Sequence, residues 1–129
     1  MKRGGVINAA LAGALARLGH TDEVLVCDSG MPLPPGVPVV DLAFVPGIPS
    51  FADVLDGLLA EIVVEGATAA EEVRRANPAC HVLLGERLPG LAYVPHERLK
   101  TLSGTSRLVV RTGEARPYAN VILRCGVAF

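Results

Sequence analysis

Apolar positions in this chain change their spacing from one segment to the next, and the changes predict alternating helices and strands. Leu55, Leu58, Leu59 and Ile62 fall at i, i+3, i+4 and i+7, the stripe of a one-sided helix. Ser50, followed three residues later by Asp53, resembles a capping box at its start. An earlier helix is expected over 9–18, with Asn8 as its cap and Gly19 as the left-handed residue just past its end. Apolar residues lie nearly all round it, so more than one of its sides should be buried. The run Glu23–Cys27 reads as a buried strand whose end is marked by Asp28-Ser29-Gly30.

The segment 30–38 holds four prolines and two glycines and predicts a stiff, extended loop. Residues 39–44 alternate weakly, as a second strand does. Residues 63–67 suit a short strand, although the preceding helix can also run on through Val64. Over 69–76, Glu71 and Glu72 precede Arg74 and Arg75, the order a helix dipole prefers, and Asn77-Pro78 ends the segment. Residues 80–84 are ambiguous between strand and helix, and 85–90 read as a loop. Strand 91–94, a brief helix over 96–102 opened by Pro95, and strands 107–112 and 121–125 complete the chain. The alternation defines an α/β class, a layered sandwich of short strands and helices forming one domain over residues 1–129.

Composition adds assembly to this picture. Hydrophobic residues make up 50% of the chain and charged residues 19%, with a mean hydropathy of +0.43, which points to surface buried against other subunits. The net charge is −1 and the basic residues are scattered, so no stripe fits a nucleic-acid backbone. Three separated cysteines without a C-x-x-C argue against a disulfide framework and a zinc site. Met1-Lys2-Arg3 before an apolar run imitates a leader peptide. Asn8, Gly13 and Arg17 interrupt the run, however, and no segment approaches the ~18–20 apolar residues of a membrane span, so a cytoplasmic protein is expected.

The chain carries no G-x-G-x-x-G, Walker A or G-x-S-x-G motif. Polar residues on turns remain as candidates: His20, Asp28, His96, Glu114, Tyr118 and Asn120. His20 suits either a helix end, where a cation complements the dipole, or general acid/base work with Asp22 or Asp28 orienting its ring. Asp28 fits a turn cap as well as a ligand. His81 reads as a bystander. Two His and an Asp would also allow a metal site, but no two of His20, Asp28 and His96 share the i, i+4 spacing of a helical one. Tyr118 and Asn120 can close a hairpin, or bind a polyhydroxylated ligand with a ring, a phenol and an amide.

Several pieces taken in order carry a resemblance. They are Leu18-Gly19-His20-Thr21-Asp22, Val26-Cys27-Asp28-Ser29-Gly30-Met31-Pro32, Gly47-Ile48-Pro49-Ser50-Phe51, His96-Glu97, and Gly113-Glu114 with Pro117-Tyr118-Ala119-Asn120-Val121-Ile122-Leu123. Together they resemble the D-ribose pyranase family of sugar mutarotases, which includes L-fucose mutarotases. The resemblance implies an α/β isomerase that interconverts β-pyranose and β-furanose forms of free D-ribose without cofactor or metal. It also implies a ring-like homo-oligomer, a decamer of two stacked pentamers, with sites between neighbouring subunits. By motif, His20 takes the role of catalytic proton donor, while Asp28, His96 and Tyr118-Ala119-Asn120 take sugar-binding roles.

Ser29 stands where ribose members often have Ala, and the region 80–93 is shorter. Met31-Pro32 and the Pro117-Tyr118-Ala119-Asn120 piece resemble the ribose branch more than the fucose branch. Other readings are a mutarotase for L-fucose or another monosaccharide, a non-catalytic sugar-binding partner of a transporter, and a metal-dependent sugar isomerase. His20 and Asp28 flank opposite ends of one strand, roughly 15 Å apart at ~3.3 Å per residue. They are therefore expected to serve different copies of the site.

Overall fold

A computed structural model describes residues 1–129. In chain order its elements are α1 (Ala9–Leu15), β1 (Glu23–Cys27), β2 (Val39–Asp41), α2 (Phe51–Leu59), β3 (Val64–Ala70), α3 (Val73–Ala76), α4 (Pro78–Arg87), β4 (Ala92–Val94), α5 (His96–Ser103), β5 (Leu108–Arg111) and β6 (Val121–Cys125). The strands form one sheet in the order β2-β5-β1-β6-β3-β4. Five strands run the same way and β6 runs against them, antiparallel to both β1 and β3.

The period-2 pattern of the strands separates two cores. Val24, Val26, Leu108, Val110, Val121 and Leu123 face one side, where Leu11, Leu15, Phe51, Leu55, Leu58 and Leu84 of α1, α2 and α4 cover them. Leu25, Cys27, Val109 and Ile122 face the other side, against Leu99 of α5 and Met31 of the loop after β1. Both faces of the sheet are thus covered, which is why β1 reads as an unbroken apolar run. The layered α/β sandwich expected from the pattern is the observed architecture.

Caps follow the sequence closely. The Asn8 side chain accepts from Leu11 N at 2.9 Å, and Ser50 Oγ accepts from Asp53 N at 3.1 Å. Several boundaries differ. The first helix stops at Leu15, and the left-handed residue beyond it is Thr21 (φ 70°), not Gly19. Within the chain α1 buries only Leu11 and Leu15. The strand expected over 39–44 keeps only Val39–Asp41.

Ala69 and Ala70, assigned to a helix by their neighbours' charges, belong to β3. They pair with Val121 of β6 and with Tyr93 and Val94 of β4, and both are fully buried. Sheet pairing overrides the helical preference of alanine there. The helix that follows keeps only Val73–Ala76. The ambiguous run 80–84 is helical within α4. Its start is fixed by Asn77, whose Oδ1 accepts from Cys80 N at 3.3 Å, and it takes in the first residues of the expected 85–90 loop. No helix is long and apolar enough to cross a membrane.

Candidate functional site

Because five strands share one direction, their carboxyl ends meet at a single edge of the sheet, together with the start of β6. Asp28 follows β1, His96 follows β4, Thr112 to Glu114 follow β5, and Tyr118 to Asn120 lead into β6. β5 and β6 lie on either side of β1, so the segment joining them is not a hairpin. It must cross the end of β1, and this carries Tyr118 and Asn120 over Asp28.

A cleft of about 350 Å³ opens there, lined chiefly by Asp28, Met31, His96, Arg116, Tyr118 and Asn120. Asn120 Oδ1 accepts from Asp28 N at 2.9 Å, and Asn120 Nδ2 donates to Asp28 Oδ2 at 3.0 Å. Gly30 N donates to Asp28 Oδ1 at 3.0 Å. Burial pushes the Asp28 carboxyl up from its ordinary range, although these hydrogen bonds and the nearby His96 oppose the rise.

His96 occupies the first turn of α5, its backbone N held by both oxygens of Glu72 at 3.1 and 2.9 Å. Its ring meets Tyr118 edge-on, with centroids 5.0 Å apart, and its buried Nδ1 has no partner. Tyr118 is left-handed (φ 57°). Tyr118 and Thr21, which follows His20, are the two non-glycine residues with positive φ, a strained conformation that tends to gather at functional sites.

The crossing segment is pinned from below. Glu114 is buried; its Oε2 accepts from Phe51 N at 3.1 Å and its Oε1 from Arg116 Nε at 2.9 Å. Asn77 Nδ2 donates to Pro117 O at 3.0 Å. A Cβ on Gly113 would overlap the Ile48 carbonyl, so only glycine lets the two backbones pass. Gly113 N donates to Pro49 O at 2.9 Å.

His20 lies at the opposite edge. Its Nε2 sits 3.0 Å from Glu65 Oε2, and Glu65 Oε1 accepts from Arg124 Nε at 3.1 Å. Neither Asp22 nor Asp28 orients the ring, contrary to expectation; the Asp22 carboxylate accepts from Gly19 N at 2.8 Å instead. Exposed Val63, Val127 and Phe129 stand round His20 in a second, more apolar depression.

The structure therefore gathers Asp28, His96, Tyr118 and Asn120 and leaves His20 apart. Ala119 is buried in the core and does not line the cleft. Sequence reasoning missed Arg116, Asn77 and Glu65. Arg116 sits two residues from the candidate Glu114, which was a usable signal, whereas nothing local marks Glu65. No three His, Cys, Asp or Glu side chains converge as a metal site would require. The three cysteines are buried and unpaired, and burial pushes Cys27 and Cys80 up to about 12.

Fold and cleft together define a small α/β protein with a polar, ligand-sized site at the carboxyl edge of its sheet. The chain belongs to the RbsD / FucU transport protein family, whose model matches residues 1–128. It is 70% identical over 129 residues, all of both chains, to a protein of Streptomyces coelicolor named D-ribose pyranase. Among solved structures it is similar to Bacillus subtilis RbsD complexed with D-ribose, with a TM-score of 0.95, 41% identity and all of both chains covered. The fucose mutarotase of Streptococcus pneumoniae in complex with L-fucose shares the fold, with a TM-score of 0.80 at 22% identity over 95% of each chain.

Proposed function

We propose that this chain is an isomerase that exchanges free D-ribose between its β-pyranose and β-furanose forms, in the cytoplasm and without cofactor or metal. The observation that carries the reading is the full-length, 70% identity to a protein named D-ribose pyranase. Support from the site itself lies in the cleft at Asp28, which offers a carboxylate, an amide, an imidazole and a phenol within one small opening. Such a set suits a ligand that presents hydroxyls on several sides.

Ring opening removes a proton from the anomeric hydroxyl, breaks the bond from the anomeric carbon to the ring oxygen, and places a proton on that oxygen. Closure attacks the aldehyde with a different hydroxyl and reverses both transfers. No nucleophile or hydride acceptor takes part, so a positioned general acid with hydrogen-bonding groups is sufficient, a contribution of about 10²–10⁴-fold. In this proposal His20 is the proton donor to the ring oxygen. Asp28 and His96 hold hydroxyls, and Tyr118 and Asn120 fix the orientation of the sugar, with the buried Ala119 between them anchoring that segment to the core.

Since β1 separates His20 from Asp28, the acid must come from a neighbouring copy. The proposed assembly is a ring-like homo-oligomer, a decamer of two stacked pentamers, with each site shared between two subunits. The exposed Val63, Val127 and Phe129 beside His20 support burial of that surface by such a neighbour.

Magnetisation-transfer NMR on free ribose, with protein far below the sugar concentration, tests the activity. Accelerated pyranose–furanose exchange is expected, abolished by His20→Ala and unaffected by chelator. The family's description as transport proteins favours a second reading, a sugar-binding partner of a transporter. A partner of that kind binds ribose stoichiometrically and does not accelerate exchange.

A further inference from the structure

The array that holds His20 is built rather than casual. Between Val64 and Gly66 the register of β3 against β6 shifts, so that Val64 pairs with Cys125 and Gly66 with Arg124, and Glu65 is the extra residue of a bulge. A bulge re-aims the side chain it carries. Here it sends the Glu65 carboxylate to the end of the sheet where His20 emerges. Both oxygens are occupied, Oε2 by His20 Nε2 at 3.0 Å and Oε1 by Arg124 Nε at 3.1 Å.

Gly126 leaves room for this arrangement, since a Cβ there would come within 3.3 Å of Glu65 Cβ and 3.1 Å of Val63 Cγ1. The backbone that carries the imidazole is equally fixed. Thr21 N donates to Cys125 O at 2.9 Å, Cys125 N donates to Asp22 O at 2.9 Å, and Gly19 N donates to the Asp22 carboxylate. Sheet, bulge and turn thus set both the position and the rotation of one ring.

An ionised carboxylate only accepts hydrogen bonds, so the nitrogen facing it carries a proton. Nδ1, which makes no hydrogen bond within the chain, is then the ring atom free to gain or lose one. We propose that Glu65 is a positioning residue that keeps His20 Nε2 protonated and reserves Nδ1 as the nitrogen that exchanges a proton with the sugar. This rests on the reading of His20 as the proton donor and adds to it the atom and its holder.

Imidazolium Nδ1–H gives its proton to the ring oxygen as the bond to the anomeric carbon breaks, while the anomeric hydroxyl releases its own proton to water; this leaves a neutral ring protonated at Nε2 and still bonded to Glu65. On closure, Nδ1 recovers a proton from the hydroxyl that becomes the new ring oxygen, and water returns one to the aldehyde oxygen as it becomes the new anomeric hydroxyl. Glu65 stays ionised throughout.

Two measurements on the intact protein test this. In exchange kinetics, Glu65→Ala should lower kcat by roughly ten- to a hundredfold, part of what a positioned acid supplies, with KM for ribose little changed. In ¹⁵N NMR near pH 8, where imidazole is neutral, His20 should show one protonated and one bare nitrogen in the wild type. In Glu65→Ala the two ¹⁵N shifts should move towards each other as tautomers mix. His20 is assigned among the three histidines by its loss in His20→Ala.

Glu65→Gln retains an acceptor oxygen and should recover part of the rate and the single tautomer; it also serves if the alanine variant does not fold. An unchanged kcat, unmoved nitrogen shifts, or a folded glutamine variant no better than alanine would overturn the inference while leaving His20 as the donor. Wild-type exchange in His20→Ala would remove the underlying reading itself.

Discussion

Asn120 grips Asp28 at two points, accepting its backbone N–H at 2.9 Å and donating to its carboxylate at 3.0 Å across 92 residues of sequence. The pair joins the end of β1 to the start of β6 at the floor of the cleft. Asn120→Ala leaves one buried carboxylate oxygen and one buried N–H without partners, a loss of about 1–3 kcal/mol of stability. Asn120→Asp sets a second carboxylate against the first and should weaken ribose binding further than alanine does. Urea unfolding and calorimetric titration with ribose give the two readings. Equal affinities in the wild type and the aspartate variant would contradict a role for this pair in holding the sugar.

If His20 and Asp28 serve different copies of the site, two inactive variants should repair one another. His20→Ala and Asp28→Ala chains, each without exchange activity, are expected to regain about a quarter of the wild-type rate when randomly co-assembled in equal amounts, since a shared interface then receives both intact halves one time in four. Mixed oligomers as inactive as their parents would place both residues of a site in the same chain.

Glu114 makes an acid-side contribution to stability. Burial opposes its ionisation, but the hydrogen bond from Arg116 and those from the backbone of Phe51 and Arg116 outweigh burial and hold the carboxyl below its ordinary 4.5. A folded-state value below the unfolded one stabilises fully above that ordinary value and is lost as pH falls through the folded one. Asp28, raised by burial, has the opposite sign. The difference in urea midpoint between wild type and Glu114→Gln should therefore shrink as the pH is lowered from about 6 to 3. A difference independent of pH would mean that Glu114 acts through packing alone.

Elements set by local chemistry were legible in the sequence. Asn8 and Ser50 cap the helices expected of them, and Glu23–Cys27 is a strand because its apolar run is covered on both faces. Ala69 and Ala70 were misread because alanine favours helices and only their partners on β4 and β6 make them strand. The left-handed turn fell on Thr21 because its N–H is bonded to Cys125 O, a contact invisible from either segment alone. The site divided in the same way. Asp28, His96, Tyr118 and Asn120 could be placed on turns by reading along the chain, but their convergence depends on β5 and β6 lying on either side of β1. Glu65 had no local mark, since a bulge becomes visible only when two strands are laid side by side.

The five residues of β1 have a counting consequence. On the proposed function, each chain presents an acid at one end of this strand and a sugar-holding cleft at the other, so an open row of subunits would leave an unused half at each end. Closing the row into a ring makes the number of complete sites equal the number of chains. On the proposed assembly, dilution that opens rings into free subunits should extinguish turnover while each chain remains folded, and activity per chain should rise with concentration until ring closure is complete.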